Sequence, residues 1–152
     1  MRTSTSSRGL DLPTGSVQAK RLPTMTGVSD MDAINPSHYQ DHPVFSGECW
    51  EVMQFCDAAT GNALKYAWRA GRKDDTAQDL RKALWYLKQL PAPCTPIIPQ
   101  SVVDRLDAEA IPFIEDHESD VLWLTVAAIM HLVRRHHQDA SDLVNLAIGR
   151  AS

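Results

Sequence analysis

Cations recur at short intervals between Gly61 and Lys73, in the run GNALKYAWRAGRK. One face of a helix through this run would carry an amide and its cations in a line, because residues three and four apart are neighbours: Asn62, Lys65, Arg69 and, just past the helix end, Lys73. Such a line can bind a chain of phosphates through charge-assisted hydrogen bonds. Tyr66 and Trp68 lie between the cations, and aromatic rings can stack on a base. The alternative is a solvated face whose cations only pair with nearby acids.

Carboxylates form a second feature. Glu48 and Glu51 lie three residues apart on a predicted helix, and Asp79 lies in the first turns of another. If the helices pack together, the three carboxylates can hold a divalent cation or supply a general base. In the alternative reading they neutralise basic side chains across helix interfaces: Lys65, Arg69 and Lys82.

The histidines divide into two groups. His38 and Tyr39 follow the turn at Asn35-Pro36, where a histidine can contact a phosphate and a tyrosine can stack or donate its hydroxyl. A solvent-exposed turn histidine is the alternative. His131 lies among apolar residues, which predicts a structural role. His136-His137 at a predicted helix end are interpreted as partners of the helix dipole rather than metal ligands.

Several classes of function are disfavoured. The chain contains neither GxxxxGK[ST] nor a GxGxxG that follows a strand, which excludes an ordinary P-loop kinase. A formal net charge of -4 and a pI near 5.8 disfavour general nucleic-acid binding. The three cysteines, Cys49, Cys56 and Cys94, form no CxxC pair, so a reduced, cytosolic protein is expected. The apolar stretch 121–133 is shorter than the ~20 residues of a membrane span, and no apolar leader is evident, so neither membrane insertion nor secretion is expected.

The elements that position these residues are predicted to be helices only. Residues 1–31 have the Ser-, Thr-, Gly- and Pro-rich composition of a flexible tail. Residues 32–90 are predicted to form a helical domain with helices over 46–57, from Gly61 to Gly71, and over 75–90. Four prolines make 91–100 a linker. Residues 101–152 form a C-terminal helical appendage with a short helix over 102–111, an amphipathic one over 118–137 and a terminal one over 141–148. The predicted fold is a small all-α bundle.

An unbroken series of motifs extends from Asn35 to Leu90: NPSHY, GEC with Glu51, GNA, KY, WRAG with Lys73, DL, KA and WYL. The series resembles the bacteriophage P-loop-less nucleotide kinases, a family long catalogued as a domain of unknown function. The resemblance implies a small α-helical phage protein of the host cytoplasm that phosphorylates deoxynucleoside monophosphates. It implies a nucleoside triphosphate as phosphate donor, Mg²⁺ as a candidate cofactor and a homo-oligomeric assembly.

Site residues follow from the resemblance by matching position. The catalytic candidates are Glu48, Lys65, Arg69 and Asp79. The substrate-binding candidates are His38, Tyr39, Asn62, Tyr66, Lys73 and Lys82. The cations would bind phosphates, Asn62 and Tyr66 would fix the sugar or base, and Glu48 and Asp79 would hold a cation or orient the attacking oxygen. Glu48, Glu51 and Asp79 are the metal-ligand candidates.

Two other functions fit the same residues. An all-α nucleoside triphosphate pyrophosphohydrolase of the MazG-like kind uses an ExxE and a later ExxD pair to bind magnesium, and Glu48 with Glu51 matches the first pair. Asp79 would belong to the second, but Thr76 stands three positions before it, so that pair is incomplete. The other function is a binding protein that sequesters a nucleotide without turnover.

Overall fold

Capping residues and apolar spacing divide the chain into helices. The structure is a computed structural model, and it describes residues 34–73, 75–89 and 97–152. A short 3-10 helix comes first (Ser37–Tyr39), followed by α1 (Cys49–Met53), α2 (Ala58–Arg69), α3 (Thr76–Lys88), α4 (Gln100–Asp116), α5 (Val121–Val133) and α6 (His137–Ala151). These ranges contain no β-strand, which confirms the all-α prediction. The predicted tail 1–31 and residues 91–96 of the predicted linker, with Cys94, lie outside the described residues.

Helix α1 is shorter than the predicted 46–57. Gly47 has φ 82°, a left-handed conformation that a helix cannot include, so the helix begins only after Glu48. Glu48 is therefore the N-cap, and its backbone N–H donates to Oε1 of Glu51 at 3.4 Å. Ser46, the predicted N-cap, bonds instead to Glu109 of α4. Because the helix ends at Met53, Cys49 and Cys56 do not share it.

Helix α2 begins three residues before Gly61, the predicted start. Asp57 is the N-cap, and its Oδ1 accepts hydrogen bonds from the N–H groups of Ala59 at 2.9 Å and Thr60 at 3.0 Å. A side-chain cap of this kind fixes a helix start more strongly than one glycine delays it. The predicted end is confirmed, since Gly71 follows the last turn with φ 83°.

Helix α5 lies at the centre of the bundle. Sequence analysis predicted an amphipathic helix, but α5 is apolar on nearly all sides and nine of its residues are buried. A helix without a polar face has to be enclosed, and α5 packs against α2, α4 and α6. Arg135 ends the element early, at φ 69°. The predicted range 118–137 was therefore too long.

Two hydrophobic cores share α2 and α5. The first core lies between these helices, α1 and α4, and its largest members include Phe45, Leu64, Trp68, Leu106 and Ile129. The second core joins the other sides of α2 and α5 to α3 and α6, with Ala63, Leu80, Leu124, Leu132 and Val144. The C-terminal helices thus contribute to both cores and hold α2 and α3 in place.

The two remaining helices are longer than predicted. α4 continues through Pro112, which removes one backbone donor, while Phe113 and Ile114 beyond it pack on the first core. α6 begins at His137, with His136 as N-cap residue. These two histidines therefore lie at the start of a helix, where the dipole does not favour a positive charge, and their predicted role as dipole partners was wrong. Within the described ranges, no helix combines the length and apolarity that crossing a membrane requires.

Candidate functional site

The best-defined polar contact of the bundle joins α2 to α3. Arg69 donates from Nε to Oδ2 of Asp79 at 2.8 Å and from Nη2 to Oδ1 at 2.6 Å, a two-pronged pairing that only arginine can make. Asp79 is 2% exposed, although the sequence predicted it on the flank away from the core. The hydrogen bonds from Asp79 raise the pKa of Arg69 above its usual value, so the guanidinium keeps its charge.

Tyr66 lies beneath three cations. The ring centroid is 5.7 Å from Nζ of Lys65, 5.0 Å from Cζ of Arg69 and 5.4 Å from Nζ of Lys82. Stacking on Tyr86, with centroids 5.9 Å apart, holds the Tyr66 ring. Lys65, Arg69 and Lys82 are called the cation cluster below. Their attraction to the ring face stabilises a grouping that repulsion between like charges opposes.

The cation cluster is not neutralised. Asp79 lies 3.8 Å from Nζ of Lys82 as well as against Arg69, so one buried carboxylate serves both. Lys65 has no carboxylate within 4.0 Å among residues 34–73, 75–89 and 97–152. The described part of the chain thus supplies one negative charge for three positive ones. A half-buried positive excess of this kind is suited to an anion.

Tyr39 closes one side of the cluster. Nη1 of Arg69 donates to its hydroxyl at 3.0 Å, and Nζ of Lys65 lies 5.4 Å from its ring centroid. The short 3-10 helix that carries Tyr39 is held by Arg72, which donates to the carbonyl oxygens of His38 at 2.9 Å and Ser37 at 3.1 Å. The turn at Pro36 and the end of α2 are in this way fixed to each other.

His38 lies beside the same cations. Burial lowers its pKa below the usual value, and the charges of Lys73, Arg69 and Arg72 lower it further, against a smaller opposing effect of Asp79. The imidazole is consequently neutral at pH 7, and can donate one hydrogen bond and accept another. This position does not make it a source of positive charge for a phosphate.

An open pocket of about 400 Å³ adjoins the cluster. Lys65 and Tyr39 line both the pocket and the cluster, which makes the two spaces continuous. The rest of the lining is largely apolar: Ile34, Asn35, Glu48, Cys49, Trp50 and Met53. Trp50 is 62% exposed and offers a free ring face. Pockets with apolar walls and few polar groups are typical of small-molecule sites.

The carboxylates do not converge. Glu48 accepts a hydrogen bond from Nδ2 of Asn35 at 3.0 Å at the pocket, whereas Glu51 pairs with Arg105 of α4 at 2.9 Å. Asp79 is occupied by Arg69 on the other side of the site. Within the described ranges these three acids do not form a group with metal-ligand spacing. The alternative reading, in which acids neutralise cations across helix interfaces, describes Asp79 correctly.

Three predicted residues lie apart from the cluster. Trp68 is fully buried and stacks on Phe45 with centroids 5.1 Å apart, so it cannot stack on a base. Asn62 donates from Nδ2 to the carbonyl oxygen of Ala58 at 2.7 Å, one turn before Lys65. Lys73 is exposed beyond the end of α2, on the His38 side. The structure therefore brings together Tyr39, Lys65, Tyr66, Arg69, Asp79 and Lys82.

Sequence reasoning missed two contributors. Trp50 is the exposed ring of the pocket, and its helical position next to buried Cys49 was the signal available. Tyr86 supports Tyr66 from α3, and its spacing of four residues from Lys82 placed it on the correct flank. The role of Arg72 in holding the 3-10 helix depends on backbone carbonyls and has no sequence signal.

Comparison with known proteins finds one related family. Residues 34–88 match a family described as a protein of unknown function, DUF3310. The match spans the 3-10 helix and helices α1 to α3, which contain every member of the cluster and of the pocket lining. No curated protein matches the chain, and no solved structure matches it.

Proposed function

We propose that this protein is a nucleotide kinase that moves a phosphoryl group from a nucleoside triphosphate to a deoxynucleoside monophosphate without a Walker A loop. The observation that carries the proposal is the cation cluster, with its excess of positive charge, open to a pocket that has an aromatic wall. The cluster has the chemistry for phosphates and the pocket for a nucleoside.

Each side chain has a defined task in this proposal. Lys65 and Arg69 bind the phosphate chain and stabilise the charge that spreads over the transferred phosphoryl oxygens. Lys82 binds the same chain from α3. Asp79 is a positioning residue, because it fixes the plane of the Arg69 guanidinium and does not face the nucleotide. Phosphoryl transfer requires little covalent participation by the protein, so positioning and charge can suffice.

The nucleoside would occupy the pocket. Tyr39 and Trp50 offer ring faces to a base, and Glu48 with Asn35 offers hydrogen-bonding groups to a base or sugar. A triphosphate usually arrives with Mg²⁺, which takes one or two carboxylates plus phosphate oxygens as ligands. Glu48, as the carboxylate of the pocket lining, would be the residue to hold it.

The sequestering alternative uses the same site, since a charged groove can bind a nucleotide without turnover. The pyrophosphohydrolase alternative is not favoured, because its magnesium site needs carboxylates that face one another. Phage origin, the host cytoplasm and a homo-oligomer belong to the proposal as expectations. Analytical ultracentrifugation of the purified chain measures the last of these.

Product analysis separates the three functions. Purified protein is incubated with labelled dTMP or dGMP and an unlabelled triphosphate. Labelled diphosphate supports the kinase. Monophosphate and pyrophosphate formed from the triphosphate alone support the hydrolase, and thermal stabilisation by nucleotide without any product supports sequestration. For the kinase, Lys65→Ala and Arg69→Ala each lower turnover at least ~10-fold, since each removes a charge-assisted contact. Full turnover in both folded variants would refute the role of the cluster.

A further inference from the structure

The corner between α5 and α6 has a specific backbone geometry. The N–H of His136 donates to the carbonyl oxygen of His131 at 2.8 Å, and the N–H of Arg135 to that of Leu132 at 3.1 Å. This is the Schellman pattern, in which glycine usually occupies the left-handed position. Here Arg135 occupies it, with φ 69°. The tight corner places the last turn of α5 beside the first turn of α6.

Three potential metal ligands meet at this corner. One ring nitrogen from His131, one from His136 and a carboxylate oxygen of Asp139 all lie within 4.8 Å of one another. Nδ1 of His131 lies 3.6 Å from Oδ2 of Asp139, too far for a hydrogen bond, and is buried with no hydrogen-bond partner in the described part of the chain. Ligand atoms about 2.0–2.1 Å from a tetrahedral zinc ion lie roughly 3.3 Å apart. His131 and Asp139 are therefore nearly at that spacing.

The third ligand is free to move. His136 is exposed, and its ring centroid lies 5.6 Å from that of His131, so rotation of its side chain can close the remaining gap. Arg134 would oppose a bound cation, but it is paired with Asp107 of α4. His136 also lines an open groove of about 410 Å³, which leaves room for water at a further coordination position.

We propose that His131, His136 and Asp139 form a divalent transition-metal site that takes Zn²⁺ and joins the end of α5 to the start of α6. Two imidazoles and a carboxylate favour zinc over magnesium or calcium, which prefer oxygen ligands alone. The bland alternative is an ion pair of His131 with Asp139 in which His136 has no part. The site lies outside residues 34–88 and is independent of the proposed kinase function.

Isothermal titration of the chelator-treated full chain with ZnCl₂ tests the site. We expect one Zn²⁺ per chain and an increase in melting temperature, with no such effect of MgCl₂. His136→Ala and Asp139→Asn change exposed side chains, so both variants fold, and each weakens zinc binding at least ~10-fold. His117→Ala, which removes another exposed histidine, leaves binding unchanged. No zinc binding by the wild-type chain, or equal binding by all variants, would overturn the proposal.

Discussion

Lys65→Ala should separate function from stability. Lys65 is the member of the cation cluster that has no carboxylate partner among the described residues, and it lines the pocket as well. Its removal takes away one charge-assisted contact with phosphate, worth about 1.5 to 3 kcal/mol, so nucleotide affinity should fall about 10- to 150-fold.

The fold should barely notice the same change. The variant loses the contacts with the Tyr39 and Tyr66 rings at 5.4 Å and 5.7 Å, worth about 0.5–1 kcal/mol at a partly exposed site. It also removes a like charge four residues from Arg69, which returns about 0.2–0.5 kcal/mol. The free energy of unfolding should therefore change by less than about 1 kcal/mol.

Two measurements on the same samples decide the matter. Isothermal titration with a nucleoside triphosphate gives the affinity, and urea denaturation gives the free energy of unfolding. Lys88→Ala is the matched control, because it removes an exposed lysine from the end of α3. Lys65→Arg should retain most of the affinity. A loss of more than about 2 kcal/mol of stability, or an affinity within threefold of wild type, would show that Lys65 serves the fold and not a ligand.

Three further predictions concern stability. Asp79→Asn should lower the free energy of unfolding by about 3 kcal/mol in urea, because it leaves Arg69, whose side chain is 14% exposed, without its partner; a loss under about 1 kcal/mol would contradict the pairing. Burial lowers the pKa of His42 to about 3 from a usual 6.5, so stability should be complete above pH 6.5 and fall by up to about 4 kcal/mol as the pH drops toward 3. Urea denaturation at several pH values should show a flatter fall for His42→Asn; an equal slope would assign the loss to other groups. Arg135→Gly should raise the free energy of unfolding by about 1 kcal/mol, since glycine adopts the left-handed φ without strain, and an unchanged melting temperature would count against strain there.

The helices of the site could be predicted because their signals are local. Apolar residues at three- and four-residue steps identified α2 and α3, and the same spacing placed Lys65 and Arg69 on one face. The start of α2 was missed because Gly61 was weighed above the N-cap at Asp57. Helix boundaries depend on one or two capping contacts, which composition does not reveal.

The chemistry of the site depends on contacts between helices, which the sequence does not encode locally. Arg69 and Asp79 lie ten residues apart on different helices, so periodicity alone could not choose between a pair and two free groups. Trp68 fitted both the cation run and the core stripe, and its full burial decides for the core. His131 looked structural because α5 was predicted without the corner that follows it.

The most direct test of the cation cluster compares ligands that differ only in phosphate. Isothermal titration of the wild-type chain with deoxythymidine, its monophosphate and its triphosphate, at low and high salt, should give affinities that rise with each addition of phosphate. Added salt should weaken the triphosphate most, because its binding depends on the exposed charges of the cluster. Equal affinity for the free nucleoside and the triphosphate, or no binding of any of the three, would contradict the account.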